Sequence, residues 1–134
     1  MSDDFVVWED SYSLGITIID DQHKKLIGMI NNLFQNCKKQ DSTAKAAIAV
    51  VFKETGDYAQ THFKDEEMLL RQAFYPKLDE HISQHKSFMN EVWDIFSKFN
   101  QDNDAPVNLA RFLKKWLLTH IAVVDKQYVP YLKK

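Results

Sequence analysis

The chain has 134 residues, the size of a single domain and enough to bury a hydrophobic core. Hydrophobic residues make up 45% and charged residues 27%, and the formal net charge is −2, so the composition argues against a disordered chain and against nucleic acid as a partner. No run approaches the roughly 20 apolar residues of a membrane span, and the acidic N-terminus is unlike a signal peptide. We therefore expect one cytoplasmic domain, residues 1–134, without membrane insertion.

The first predicted element is an N-terminal arm over about residues 1–18, which mixes aromatic with acidic side chains and shows no sustained helical period. We interpret it as an ordered strap across the rest of the fold. A first helix is predicted over about residues 19–39. Its apolar side chains recur every three or four residues, as on one face of a helix, and His23 extends that face by one turn.

Three more helices are predicted, over about residues 42–73, 77–99 and 107–129. Gly56 interrupts the second of them at a cost of about 1 kcal/mol relative to alanine, which suggests close packing against a neighbouring helix. Pro76 and Pro106 suit the first turns of the third and fourth helices. Because the connections between long helices are short, neighbouring helices are expected to be antiparallel. The sequence therefore predicts an all-α, up-down-up-down four-helix bundle with an N-terminal arm.

Seven side chains of metal-ligand type lie on the apolar faces of these helices, including every histidine of the chain: His23, His62, Glu66, His81, His85, His120 and Asp125. A lone histidine on an apolar face is usually a hydrogen-bonded core residue. About three of seven helix positions face a core, so all five histidines would do so by chance in roughly 1–2% of cases. Glu66 alone would be interpreted as an exposed acid, but His62 one turn earlier favours a carboxylate buried beside a cation. The pattern therefore predicts a metal site inside the bundle.

The spacing of these residues decides how they can meet. Residues four apart lie about 40° apart around a helix, so the His62–Glu66 pair and the two histidines of the third helix each face one way. Asp125 follows His120 by five residues, which corresponds to a rotation of about 140° on an ideal helix. If Asp125 is a ligand, either the backbone near it is distorted or its side chain reaches around the helix. Wide helical turns that would distort the backbone in this way occur at functional sites.

The donor set favours two iron ions over a structural zinc site. Imidazoles and carboxylates are present without a set of thiolates, since the sole cysteine is Cys37. Seven side chains exceed what one ion takes, which implies two ions. Two near-octahedral ions offer about twelve coordination positions. Five histidines, two bridging carboxylates and one bridging oxide or hydroxide would fill all but one, and the open position invites a small exogenous ligand.

The full motif is one His, then His-x-x-x-Glu, His-x-x-x-His and His-x-x-x-x-Asp. It resembles the hemerythrin family, in particular its single-domain bacterial members. The flanking sequence agrees with the family pattern at Trp8, Gly15-Ile16, Ile19-Asp20, Gln22-His23-Lys24, His62-Phe63 and Glu66-Glu67. The resemblance covers nearly the whole chain, from Trp8 to beyond Asp125, and all seven motif positions are filled.

The resemblance implies a role for each of the seven side chains. The three histidines of the third and fourth helices would complete the shell of one iron, while His23 and His62 would bind the other, which keeps the open position. Glu66 and Asp125 would bridge both ions. O2 would bind at the open position, take two electrons from the iron pair and rest as a hydroperoxide hydrogen-bonded to the bridging oxygen. Release would reverse these steps.

The implied function is reversible O2 binding for storage, transport or delivery to an oxygen-consuming enzyme, rather than catalysis, and we expect a monomer. The Glu-x-x-His pairs of oxygen-activating bundles do not occur in this sequence. Six apolar neighbours of the ligands are predicted to line an oxygen pocket, although core packing explains any one of them equally well: Leu26, Ile27, Phe63, Trp116, Leu117 and Ile121. The alternatives are an oxygen or redox sensor, and a di-iron peroxidase or nitric-oxide-handling enzyme.

Overall fold

Four long helices dominate the computed structural model, which describes residues 5–37, 42–98 and 104–133. They are α1 (Thr17–Cys37), α2 (Ser42–Gln72), α3 (Leu78–Ser97) and α4 (Ala105–Thr119). A π turn (His120–Val124), a 3-10 turn (Asp125–Tyr128) and the short helix α5 (Val129–Leu132) follow α4. Another 3-10 turn, Asp10–Tyr12, precedes α1, and the described part of the chain contains no strand.

The four helices pack in a ring, because α1 and α3 each contact both α2 and α4. The predicted all-α, up-down-up-down four-helix bundle with an N-terminal arm is confirmed. None of the described helices is long and apolar enough to cross a membrane. Residues 1–4 of the predicted arm, and the predicted helix residues 38, 39 and 99, lie outside the described residues.

The main departure from the predicted helices lies in the last one. The sequence predicts one helix over about residues 107–129, whereas α4 ends at Thr119 and the chain continues through the π and 3-10 turns. The hydrogen bond from the Asp125 N–H to the His120 carbonyl spans five residues, so the turn accommodates one residue more than an α-helical turn. Pro130 lies in the first turn of α5, where a missing N–H costs little, and it therefore follows the break instead of causing it.

Two hydrophobic clusters lie in the bundle, one on each side of a polar layer. The larger includes Leu26, Phe63, Phe88 and Ile121, and the smaller includes Ile19, Leu70, Tyr75 and Tyr128. Along the helices, five of the seven predicted ligands fall between members of the two clusters, whereas His62 and His120 directly precede Phe63 and Ile121 of the larger cluster. In α1, for example, His23 lies between Ile19 and Leu26. The polar layer is therefore shielded by apolar side chains at both of its ends.

The glycine in the middle of α2 makes room for an aromatic ring of α3. A Cβ atom at Gly56 would lie 2.8 Å from Cη2 of Trp93 and 3.2 Å from its Cζ2. Both distances are shorter than the optimal separation of about 3.5–4.0 Å between carbon atoms. The close packing that the sequence suggests at Gly56 is confirmed, and it explains why a residue of low helix propensity occurs in the interior of α2.

The described part of the N-terminal arm lies along α1 and is held there by polar contacts. The Asp20 carboxylate accepts hydrogen bonds from the Ser13 hydroxyl at 2.6 Å and from the Leu14 N–H at 2.8 Å. Farther along α1, the Asn31 amide accepts from the Val6 N–H at 2.7 Å and donates to the Val6 carbonyl at 2.8 Å. These contacts fasten the arm at two points, as expected of a strap.

Candidate metal centre

The seven side chains of the sequence motif converge in the polar layer between the two hydrophobic clusters. Each is buried, and His120 is the most exposed of them, at 5%. The contributions are spread over the bundle, with His23 from α1, His62 and Glu66 from α2, His81 and His85 from α3, and His120 and Asp125 from the turns after α4. Burying an unpaired charged group costs several kcal/mol, so this concentration of carboxylates and imidazoles in one layer requires a compensating partner.

Regular helix geometry positions two pairs of the motif. His62 and Glu66 lie one turn apart in α2, with His62 Nε2 3.4 Å from Glu66 Oε2. The histidines of α3, His81 and His85, are also one turn apart, and their ring centroids are separated by 4.5 Å. Each pair therefore presents its side chains to the same side of its helix.

The third pair of the motif meets through the π turn. Because that turn holds more residues than an α-helical turn, Asp125 returns to the face of His120 although five positions separate them. His120 Nε2 and Asp125 Oδ1 lie 2.9 Å apart. Of the two ways in which Asp125 could meet His120, the structure therefore shows the distorted backbone.

The two oxygen atoms of Glu66 face different histidines. Oε1 lies 2.5 Å from His81 Nε2 and 3.2 Å from His85 Nε2. Oε2 lies 3.4 Å from His62 Nε2 and 4.0 Å from His23 Nε2. A single carboxylate thus borders two separate groups of imidazole nitrogens.

Asp125 divides its oxygen atoms in the same way. Its Oδ1 lies 2.9 Å from His120 Nε2 and 3.3 Å from His81 Nε2, whereas its Oδ2 lies 3.3 Å from His23 Nε2. The centre therefore has two subsites. The three-histidine subsite is formed by His81, His85 and His120, and the two-histidine subsite is formed by His23 and His62. The two carboxylates lie between these subsites.

Several buried atoms of the centre have no hydrogen-bond partner among the described residues: His23 Nδ1, His85 Nε2, His120 Nε2 and both carboxylate oxygens of Asp125. Most buried polar atoms are hydrogen-bonded, so such a group requires an explanation. Apart from His23 Nδ1, the imidazole nitrogens in this set face the shared carboxylates, and the Asp125 oxygens face imidazole nitrogens. Lone pairs that converge in this way are satisfied by a cation, and the residues present therefore fit a metal centre.

The charges of the centre shift one another's pKa values. Burial acts to raise the pKa of Glu66, but its close polar contacts with His62, His81 and His85 hold that pKa well below its usual range. Burial and repulsion from Glu66 act to raise the pKa of Asp125, and close polar contacts with His120, His23 and His81 lower it overall. For His81, burial lowers the pKa, whereas its close contacts with the Asp125 and Glu66 carboxylates raise it to about 9. In the metal-free protein, a proton on His81 thus helps to balance the two carboxylates.

Three further side chains contact the motif, although the sequence pattern does not identify them as site residues. Gln22 Oε1 lies 2.5 Å from His62 Nδ1, Glu67 Oε2 lies 2.7 Å from His85 Nδ1, and the Tyr128 hydroxyl donates to Glu66 Oε2 at 3.1 Å. The sequence offers one weak signal for them, because each lies within three residues of a motif position. Their partners lie on other elements of the fold, so only the three-dimensional arrangement reveals these contacts.

Two aromatic rings cover the three-histidine subsite. The Phe63 ring stacks on His85 with the centroids 3.9 Å apart, and the Trp116 ring stacks on His120 at 4.2 Å. Phe63 and Trp116 also contact each other edge to face, at 5.6 Å. These contacts help to fix the planes of the His85 and His120 imidazoles.

Both rings also line a small apolar cavity of about 10 Å³ in the bundle. Its wall consists of Leu26, Ile30, Thr55, Ala59, Phe63, Phe88, Leu113, Trp116 and Leu117. Four of the six residues predicted for an oxygen pocket are among them, while Ile27 and Ile121 are buried in the surrounding core and do not line this cavity. A space of this size is close to the minimum that holds one water-sized molecule.

A four-helix bundle that holds two adjoining groups of imidazoles with shared carboxylates is typical of helical proteins that bind metal cations. Comparison with known proteins identifies the family. Residues 14–132 match the family model described as the hemerythrin HHE cation binding domain. The chain belongs to the hemerythrin family.

Individual relatives and solved structures agree with this membership. The chain is 34% identical to a bacteriohemerythrin of Stenotrophomonas maltophilia over 128 residues, which are 96% of this chain and 82% of the relative. It is 31% identical to a bacteriohemerythrin of Clostridium acetobutylicum, over 92% of this chain and 98% of the relative. A crystal structure of wild-type hemerythrin superimposes with a TM-score of 0.85 at 26% identity, covering 97% of this chain and 99% of that one.

Proposed function

We propose that the protein is a non-haem di-iron oxygen-binding protein that binds O2 reversibly. The observation that carries the proposal is the unequal distribution of histidines around two shared carboxylates, with three on one side and two on the other. If two ions have the same preferred coordination number, the one at the two-histidine subsite has one protein ligand fewer. That subsite is therefore where O2 would bind.

The three-histidine subsite would hold one iron and the two-histidine subsite the other, while Glu66 and Asp125 would contact both through their separate oxygens. The mixed nitrogen and carboxylate donors suit iron, whereas structural zinc sites are typically rich in thiolates. When bound, the iron pair supplies the two electrons with which O2 is held and recovers them on release. An oxide or hydroxide is the expected bridge between the two ions.

The role of the protein's own residues is to orient the imidazoles and to exclude water. A hydrogen bond from His62 Nδ1–H to Gln22 Oε1 leaves the Nε2 lone pair of His62 for the centre. The predicted pocket residues all belong to the larger hydrophobic cluster and would give that side of the centre an apolar lining: Leu26, Ile27, Phe63, Trp116, Leu117 and Ile121. By limiting the supply of water and protons, such a lining favours release of O2 over its further reduction.

Storage, transport or delivery of O2 to an oxygen-consuming enzyme are the roles that reversible binding would serve. They are supported by the four-helix fold, by the family membership and by the donor set of the centre. The alternative functions can be distinguished from reversible O2 binding by measurement. A di-iron peroxidase or nitric-oxide-handling enzyme turns its substrate over, and a sensor changes its interaction with a partner.

The test is repeated oxygenation of protein loaded with ferrous iron under anaerobic conditions. We expect an O2-dependent visible absorption band that disappears on deoxygenation and returns in later cycles with constant amplitude, while the metal-free protein shows no band. The same samples should not consume hydrogen peroxide catalytically. One-way oxidation without a reversible band, or sustained peroxide turnover, would contradict the proposal.

A further inference from the structure

One histidine of each subsite is held at its outer ring nitrogen, Nδ1, by a side chain of the bundle, and the two holding groups differ in charge. In the three-histidine subsite the group is the Glu67 carboxylate, 2.7 Å from His85 Nδ1. In the two-histidine subsite it is the Gln22 amide, 2.5 Å from His62 Nδ1. The two subsites are therefore unequal in their outer contacts as well as in their number of histidines.

Glu67 reaches His85 across the interface between α2 and α3. Its side chain is 21% exposed and lines a groove between these helices together with Lys64 and Lys86. An ionised carboxylate only accepts hydrogen bonds, so it places the ring proton of His85 on Nδ1. The Nε2 lone pair of His85 then faces the centre, where Nε2 lies 3.2 Å from Glu66 Oε1.

The orientation of the Gln22 amide follows from its second contact. Its Nε2 donates a hydrogen bond to Asp65 Oδ2 at 3.0 Å. Because a carboxylate oxygen only accepts hydrogen bonds, the NH2 group of the amide must face Asp65. The oxygen end therefore faces His62, and it is neutral. His23, the other histidine of this subsite, has no partner at Nδ1 among the described residues.

We propose that Glu67 is a positioning residue. By accepting the Nδ1–H of His85, it makes that ligand of the three-histidine subsite donate more electron density to its iron, and it thereby lowers the reduction potential of the iron centre. A carboxylate that accepts the outer N–H of a ligating histidine raises the basicity of that ligand, and a neutral amide does so less. A more basic imidazole stabilises ferric over ferrous iron. The inference rests on the proposed di-iron function and concerns residues that hold ligands and do not themselves contact the metal.

Glu67 also bears on O2 binding, because holding O2 requires electrons from the iron pair. A group that stabilises the oxidised centre favours the O2-bound state over the free state. Loss of the Glu67 charge should therefore weaken O2 binding, and a carboxylate introduced in place of the Gln22 amide should strengthen it.

The first variant is Glu67→Gln, which keeps a hydrogen-bond acceptor near His85 and removes its charge. We expect the midpoint potential of the iron centre to shift upward and the affinity for ferrous iron to fall by about 10–100-fold. The matched control is Glu54→Gln, which removes the same charge from an exposed position of α2, thirteen residues earlier and thus about 20 Å away. The control should leave both quantities unchanged.

The second variant moves a carboxylate to the other subsite without changing the net charge. In the double variant Gln22→Glu with Asp65→Asn, the amide at position 65 can donate to the new carboxylate, which in turn can accept from His62 Nδ1. We expect the midpoint potential to shift downward, opposite to the effect of Glu67→Gln. Because the two variants alter different subsites, either one remains informative if the other fails to fold.

The proposal is wrong if Glu67→Gln moves the potential no more than Glu54→Gln does, or if the double variant raises it. These outcomes would leave the proposed function intact, provided that the unmodified protein takes up two irons and binds O2 reversibly. If the unmodified protein does neither, the proposed function fails and this inference fails with it.

Discussion

The backbone N–H of Asp125 donates a hydrogen bond to the carbonyl oxygen of His120, five residues earlier in the chain. This π turn brings Asp125 Oδ1 to 2.9 Å from His120 Nε2, although an ideal helix would rotate the two side chains about 140° apart. One wide turn therefore lets a single segment supply both a histidine of one subsite and a carboxylate that borders both subsites. The irregular backbone is part of the centre.

Removal of a shared carboxylate should remove most of the bound iron. Glu66→Ala deletes oxygen atoms that face both subsites, and His62→Ala deletes one of only two imidazoles in its subsite. The control is Lys24→Ala, an exposed position next to His23. The measurement is the iron-to-protein ratio after gel filtration, and full iron occupancy in the two ligand variants would contradict the assigned centre.

The metal-free protein should lose stability as the pH rises from about 6.5 to 9. The pKa of His81 is about 9 in the folded protein, against an ordinary histidine pKa of 6.5, so the folded state binds the proton more tightly than the unfolded state. The resulting stabilisation is fully present below the unfolded pKa and is lost as the pH rises through the folded one, and it amounts to at most about 3 kcal/mol.

Urea unfolding of the metal-free protein at several pH values measures this effect. His81→Gln is the control variant, in which the pH dependence between 6.5 and 9 should flatten. A free energy of unfolding that is constant or increases over this interval in the unmodified protein would show that His81 does not carry the proton in the folded state.

Two glycines of the bundle should respond to alanine in opposite directions. Gly56→Ala places a Cβ atom 2.8 Å from Cη2 of Trp93, and we expect a loss of about 1–3 kcal/mol from overpacking. Gly28 is also inside a helix, but a Cβ atom there meets nothing within 4 Å, so Gly28→Ala should gain about 0.5–1 kcal/mol. Thermal or urea unfolding measures both, and equal effects of the two substitutions would refute the packing argument.

Phe74 should be replaceable by glycine with a gain in stability. Its φ of 56° lies in the left-handed region, and 89% of its surface is exposed, so little packing compensates for the backbone strain. Phe74→Gly should stabilise the protein by about 0.5–1 kcal/mol because glycine adopts this conformation freely. Phe74→Ala keeps the unfavourable conformation and serves as the control. A gain as large in the alanine variant would point to a cause other than backbone strain.

The periodicity of the sequence was sufficient to predict the bundle and the faces on which the seven motif residues lie, because each helix fixes the directions of its own side chains. From the spacing of His120 and Asp125, the same reasoning predicted that Asp125 needs either a distorted backbone or a side chain that reaches around the helix. The contacts of Gln22 and Glu67 could not be predicted in this way. His62 is 40 residues from Gln22 along the chain, and their contact depends on how two helices are rotated against each other.

The directions in which the carboxylate oxygens face could not be predicted from the sequence either, because they also depend on how the helices pack. Which oxygen of Glu66 faces His81 and which faces His62 is set by packing among three helices, and no spacing within one helix determines it. The left-handed conformation of Phe74 could not be predicted from the sequence, because the Tyr75-Pro76 pair predicts only that the helix ends nearby.

In the proposed centre only one iron of each pair has an open position, so each pair should bind a single small ligand. The most direct test is an O2-binding isotherm on protein of known iron content, followed by deoxygenation to measure how much O2 is released. We expect saturation at one O2 for every two irons, with recovery of the bound O2 on deoxygenation. Saturation at one O2 per iron, or uptake of O2 that cannot be recovered, would contradict it.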